Sequence, residues 1–167
     1  METLSLEQIS NVAEIVGVIL VILSLIYVGR EVGQNTATMQ VSASQTFVDL
    51  YNTITSQLTT APDLADIWYR GLADFASLKN DERVRFSAIA GQSMRVYESG
   101  YLQYRKGALD EQIWVAFSVS LADITASPGV REWWKTRQHW YSQDFQELVK
   151  TAEEKKGSQM YSRLADA

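Results

Sequence analysis

Cysteine is absent from the 167-residue chain, so disulfides, thiolate metal sites and thiolate nucleophiles are excluded. The single histidine, His139, excludes a metal site built from several histidines. The sequence also lacks the glycine-rich dinucleotide motif, the serine-hydrolase motif G-x-S-x-G and a P-loop lysine. We therefore expect no catalytic residues, no metal site, no cofactor and no enzymatic activity.

Positive charge is scarce in the first third of the chain. Residues 1–58 carry five acidic residues against Arg30 alone, a net charge of −4 out of −5 for the whole chain. This distribution predicts no basic face. We expect neither a nucleic-acid partner nor an electrostatic attraction to anionic lipid.

A long apolar segment lies near the N-terminus, from Val12 to Val28. Extended to Ile9 and Val32, it is long enough as a helix to cross a hydrocarbon core about 30 Å thick. We predict one transmembrane helix, with Tyr27 and Arg30 at the membrane interface. Two alternatives are a cleaved signal peptide, whose basic start and small-residue cleavage site are missing, and a buried helix of a soluble bundle.

Apolar and small residues continue beyond Arg30 with spacings of four, four and three, which keeps them on one helix face. Gly29, Gly33 and Ala37 are spaced four apart, a pattern that lets two helices approach closely. The segment predicts a stalk, the polar part of the same helix ending at Leu58, that associates with other copies of the chain. The predicted oligomer interface consists of Gly29, Val32, Gly33, Thr36, Ala37, Met39, Ala43 and Phe47.

The stalk has no charged residue between Glu31 and Asp49, although it is rich in amides and hydroxyls. Such side chains suit a helix contact or a wet lumen because they form hydrogen bonds without the desolvation cost of ions. Three interpretations remain: a stalk covered by its own C-terminal domain, self-association, and an oligomeric channel. The possible pore or polar lining consists of Glu14, Gln34, Asn35, Thr38, Ser42 and Gln45.

The rest of the chain predicts a helical bundle, because no segment alternates as a strand does and both prolines lie in connections. The predicted helices cover about 63–75, 80–106 with Asn80 as N-cap, 111–126 with Asp110 as N-cap, 130–141 and 143–154. The second of these has two apolar faces, which is typical of a central helix. The predicted divisions are a transmembrane helix and stalk (1–58), a bundle (59–156) and a charged, fraying tail (157–167).

Three ionisable residues of the bundle are candidates for chemistry. His139 lies among tryptophans, Glu98 among arginines and tyrosines, and Asp123 in an apolar helix. None has a second acid, base or ligand at a convincing spacing, so we expect packing and ion-pair roles.

Three ordered blocks, "EIVGVILVILSLIYVGREVGQNT", "YLQYRKGALDEQIW" and "PGVREWWKTRQHWYSQDF", resemble a widespread family of uncharacterised bacterial proteins. The resemblance implies one N-terminal transmembrane helix, a small all-helical domain and residence in the bacterial inner membrane. With Arg30 as the only flanking cation, the C-terminal domain is expected in the cytoplasm. We therefore predict a single-pass, self-associating scaffold or partner-binding protein, with an oligomeric ion channel as the alternative. Its expected partners are further copies of the chain, the lipid bilayer and an unidentified protein.

Overall fold

The computed structural model describes residues 6–154, with side chains described for residues 10, 11 and 13–152. All regular structure in this range is helical, which confirms the predicted all-α fold. The predicted tail, 157–167, lies outside the described residues. The helices are α1 (Leu6–Thr60), α2 (Pro62–Ala73), α3 (Asn80–Arg105), α4 (Glu111–Ala126), α5 (Pro128–Arg137), a short 3-10 helix η1 (Gln138–Trp140) and α6 (Gln143–Glu154).

The chain divides into two compact units, residues 1–39 and residues 40–167. The described part of the first unit is the beginning of α1, in which every side chain from Ala13 to Met39 is exposed. The second unit contains the rest of α1 and helices α2 to α6, and is called the bundle below. The predicted boundary between stalk and bundle lies at Leu58, whereas α1 contributes buried side chains from Ser44 onward.

Helix boundaries follow the local chemistry of the sequence. Pro62 and Pro128 begin α2 and α5, where a missing N–H costs no hydrogen bond. The Asp110 carboxylate caps α4 by accepting hydrogen bonds from the backbone N–H groups of Gln112 (2.8 Å) and Ile113 (3.3 Å). Gly107, with a φ of 69°, adopts the left-handed conformation that ends α3.

Two predicted boundaries are wrong. Asn80 does not cap α3; Lys79 is the N-cap, and its backbone N–H donates to the Glu82 carboxylate at 2.9 Å. The Glu82 carboxylate thus satisfies the backbone N–H of the N-cap residue itself, which is the reciprocal half of a capping box. The fifth helix was predicted to run to Tyr141, but α5 ends at Arg137 and tightens into η1.

The core of the bundle is rich in aromatic side chains. Trp133 and Phe86 are fully buried, and the Trp68 ring stacks on Phe86 with centroids 5.0 Å apart. Residues on both predicted faces of α3 are buried, as expected for a central helix. α1 joins this core through Phe47, whose ring packs edge-on against Phe117 with centroids 4.6 Å apart.

Glycine permits the closest helix contact in the bundle. A Cβ atom on Gly129, at the start of α5, would overlap the carbonyl oxygen of Gly71 in α2. The overlap is with backbone atoms of α2, so no side-chain rotation relieves it. The contact between α2 and α5 therefore requires glycine at position 129.

Candidate functional site

The first candidate site is the exposed part of α1. It contains a helix long and apolar enough to cross a membrane, with a mean hydropathy of 2.2 over its most apolar 18 residues and none of that window buried. Elsewhere in the described range, α4 and α5 with η1 pass the same test only if counted as one span, bent by 94°. A water-exposed surface of this size and apolarity is unusual in a soluble monomer. This part of α1 is therefore a surface that lipid or another chain can cover.

The predicted oligomer interface is divided by the structure. Six of its residues lie on the exposed part of α1: Gly29, Val32, Gly33, Thr36, Ala37 and Met39. Ala43 is half-buried, and Phe47 is 1% exposed within the core of its own bundle. Phe47 is therefore not on a surface available to a second chain, because its ring already packs on Phe117. Packing within the chain explains the apolar stripe from Ala43 onward.

Small residues on the exposed part of α1 leave open space around the helix. A Cβ atom on Gly29 or Gly33 would meet nothing within 4 Å, and the same holds for Gly17. Within the described residues these glycines therefore serve no packing contact of their own chain. Glycine in a helix interior costs about 0.5–1 kcal/mol relative to alanine.

The predicted polar lining is exposed, as is Glu14. The Thr38 hydroxyl donates to the Gln34 carbonyl oxygen at 3.0 Å, and the Thr36 and Thr46 hydroxyls make the same bond to the carbonyl four residues earlier. These hydroxyls are satisfied by their own helix. The amide groups of Gln34, Asn35 and Gln45, by contrast, have no hydrogen-bond partner in the described part of the chain, so they can bond to a neighbouring molecule.

The small-residue face and the polar lining lie on different sides of α1. At about 100° per residue, Gln34, Asn35, Thr38, Ser42 and Gln45 are all roughly 120–180° away from Gly29 around the helix axis. A helix pair in contact through Gly29 and Gly33 would therefore point these polar side chains away from the contact. Self-association through the glycine face and a lumen lined by the polar face require different arrangements of neighbouring helices.

Glu98 has a structural role in the bundle. It is 7% exposed; one carboxylate oxygen accepts from Arg95 at 2.8 Å and the other accepts from the backbone N–H of Ser142 at 2.7 Å. The Arg95 guanidinium also donates to the Trp140 carbonyl and lies 4.4 Å from the centroid of the Tyr141 ring. Burial raises the pKa of Tyr141 to about 12. This cluster joins η1 and the start of α6 to α3.

The remaining candidates are not brought together. His139 is exposed, and its ring centroid lies 5.9 Å from that of Trp140, on which Arg137 stacks at 4.9 Å. Asp123 is half-buried in α4. Among the residues whose side chains the structure describes, no group of three or more histidine, aspartate or glutamate side chains is placed to hold a metal ion.

Two grooves of the bundle were not predicted. One, of about 820 Å³, lies between α1 and α3 and is bordered by Leu50, Arg95 and Trp140. The other, of about 710 Å³, lies between α5 and α6. No signal in the sequence of α5 or α6 alone indicates the second groove, because its lining combines side chains from both helices.

No family model, curated protein or solved structure matches the chain. The long apolar N-terminal helix and the helical bundle agree with the architecture implied by the resemblance stated above. Bacterial origin remains a prediction.

Proposed function

We propose that the chain is a single-pass membrane protein that self-associates through α1 and presents its bundle as a scaffold or partner-binding module. The observation that carries this proposal is the complete exposure of Ala13–Met39, a segment that begins as apolar as a transmembrane helix. Burial in lipid removes the apolar part from water. Within the proposal the protein has no enzymatic activity.

Self-association is supported by the small-residue face of α1. Gly29, Gly33 and Ala37 are exposed on one side of the helix, and the two glycines have open space beside them. Two such faces can approach to backbone distance, where van der Waals contact stabilises a helix pair. The amide of Asn35, about 160° around the helix from Gly33 and Ala37, then lies outside the contact and remains hydrated.

The proposed location is the inner membrane of a bacterium, with the bundle in the cytoplasm. Arg30 is the only basic residue close to the apolar segment and follows its C-terminal end. A cation in this position favours retention of that end on the cytoplasmic side.

The test of the proposal is the mass of the full-length protein in a mild uncharged detergent, measured by light scattering with the detergent contribution subtracted. We expect an oligomer for the wild type. Gly33→Leu should shift the protein towards the monomer because the leucine side chain separates the two helices. The matched control is Asn35→Leu, which introduces the same side chain about 160° around the helix from Gly33 and should leave the mass unchanged.

A monomeric wild type contradicts self-association. An oligomer that survives Gly33→Leu but not Asn35→Leu means that the polar face forms the contact. Membrane anchoring is tested separately: the protein should remain in the membrane fraction after alkaline extraction, and release into the supernatant contradicts the anchor.

The channel alternative is favoured by one observation, the exposed and unbonded amides of Gln34, Asn35 and Gln45. Reconstitution in planar bilayers distinguishes it from the scaffold. A current whose ion preference changes in Glu14→Gln supports a pore with a carboxylate at its mouth. Absence of current from both proteins, combined with an intact oligomer, leaves the scaffold.

A further inference from the structure

The groove between α5 and α6 is lined by two helical faces with the same spacing. Residues 131, 134, 135 and 138 face it from α5 and η1, and residues 143, 146, 147 and 150 face it from α6. Each set follows the i, i+3, i+4, i+7 pattern of one helix face. The groove therefore runs along both helices, and its volume of about 710 Å³ is within the range of sites for small molecules.

Cations predominate in this groove although the whole chain is acidic. The charged lining residues are Arg131, Lys135 and Lys150 against Glu147, a net charge of +2. No basic face was expected from the sequence, because these residues are separated along the chain. The fold brings them together because α5 and α6 border the same groove, and the Trp134 ring of α5 lies against the Phe145 ring of α6 (centroids 6.1 Å apart).

The cations are not used by ion pairs within the described part of the chain. Neither Lys135 nor Lys150 has an acidic partner among residues 13–152, whose side chains the structure describes, and both are exposed. Arg131 donates from Nε to the Thr125 carbonyl at 3.0 Å, which fixes the guanidinium and leaves its two terminal amino groups for another acceptor. Lys135 also lies in the last turn of α5, where the helix dipole favours a cation, but this does not explain Lys150.

Amide groups complete the set of donors. Gln138, Gln143 and Gln146 line the groove. The Gln146 amide nitrogen donates to the Tyr141 carbonyl at 2.9 Å, so its side chain is held in place. Trp134, 5% exposed, forms an apolar part of the floor. The groove thus offers ammonium, guanidinium and amide donors above a rigid aromatic base.

We propose that the α5–α6 groove binds the phosphate group of a phosphomonoester. A phosphomonoester carries a charge of about −1.5 to −2 at neutral pH and three acceptor oxygens, which match the net charge and the number of donors. A carboxylate has one charge and two oxygens, and it would leave part of the cationic lining uncompensated. The ligand is a soluble phosphate ester or the headgroup of a phosphomonoester lipid. The proposal does not depend on self-association through α1.

Binding of a soluble phosphate ester is tested with the full-length protein in uncharged detergent. Glycerol phosphate is titrated into the wild type and into the double variant Lys135→Gln/Lys150→Gln, and binding is measured by calorimetry. We expect binding to the wild type and an affinity at least about tenfold lower for the double variant, since two charge-assisted hydrogen bonds are lost. Arg131 is left unchanged because its hydrogen bond to the Thr125 carbonyl joins α5 to α4, so its substitution could destabilise the fold.

The matched control is Lys106→Gln, which removes an exposed lysine outside the groove. It should bind glycerol phosphate as the wild type does. Tryptophan fluorescence should give the same unfolding midpoint for all three proteins, so a weaker affinity reflects the groove and not the stability of the bundle.

The lipid source is tested in nanodiscs of phosphatidylcholine with and without phosphatidic acid. Native mass spectrometry should show phosphatidic acid retained by the wild type and lost from the double variant. Binding of glycerol phosphate alone assigns a soluble ester, and retention of phosphatidic acid alone assigns a lipid headgroup. Binding of neither overturns the proposal, as does an equal loss in Lys106→Gln, which would mean that affinity follows total charge.

Discussion

The two parts of α1 have similar spacing but different surroundings. From Ala43 to Leu58 the stripe of apolar residues packs largely into the bundle, with Phe47 and Ile54 buried. From Val28 to Met39 the same spacing continues, yet Val32 is 59% and Met39 62% exposed. The periodicity of a helix therefore identifies the face that needs a partner, while the identity of that partner depends on the rest of the fold.

Glycine gives the sharpest form of this comparison. Gly129→Ala in the bundle should lower the free energy of unfolding by about 4 kcal/mol or more, because the new methyl group overlaps the Gly71 carbonyl and forces α2 and α5 apart. Unfolding is measured by tryptophan fluorescence, since all five tryptophans lie in the bundle.

The control for this prediction is Gly91→Ala in α3. A Cβ atom there meets only the Trp133 ring, at 3.8 Å, which is an ordinary contact. The variant should unfold like the wild type or be more stable by about 0.5–1 kcal/mol. A wild-type unfolding midpoint for Gly129→Ala would show that the α2–α5 contact can relax.

The second prediction compares apolar residues from the two parts of α1. Phe47→Ala should cost the bundle about 3 kcal/mol, because it leaves a cavity where the ring contacted Phe117 and closely approached Gly100. Met39→Ala removes an exposed side chain and should leave the unfolding of the bundle unchanged. An unchanged unfolding midpoint for Phe47→Ala as well as for Met39→Ala would mean that the stability of the bundle does not depend on α1.

Local chemistry made most of the helices predictable. The two prolines, the Asp110 cap and Gly107 marked boundaries that the structure reproduces. The start of α3 differs from the prediction because the Glu82 carboxylate accepts from the Lys79 backbone N–H, and Lys79 rather than Asn80 is the N-cap. The end of α5 was missed because the tightening into η1 accompanies the bonds of Arg95 and Glu98, which come from another helix.

Sites that depend on two helices were not predictable from one segment. The α5–α6 groove combines Arg131 and Lys135 of α5 with Lys150 of α6, and nothing in either segment alone indicates a basic surface. Likewise, Phe47 fits the stripe of the exposed residues before it, and only the position of Phe117 on α4 places it in the core. Sequence spacing predicted which residues share a face, and tertiary packing decided what that face contacts.

The smallest expected effect concerns the response to acid, which should differ between the uncharged middle of α1 and the ion pairs of the bundle. The segment from Val32 to Val48 has no ionisable side chain. In the bundle, hydrogen bonds from Arg70 and from the Lys79 backbone lower the pKa of Glu82 from 4.5 to about 2. Because the folded state favours the ionised carboxylate, this contribution to stability is complete above pH 4.5 and is lost as the pH falls towards 2.

Glu82→Gln should therefore weaken the bundle modestly near neutral pH and reduce the pH dependence of its unfolding midpoint below pH 4.5. The matched control is Asp81→Asn, which changes an exposed neighbour at the same helix end and should retain the wild-type pH profile. The measurement is tryptophan fluorescence during denaturant unfolding at a series of pH values. If Glu82→Gln retains the full acid dependence, other carboxylates of the bundle cause it, and the α2–α3 ion pair with Arg70 contributes little to stability.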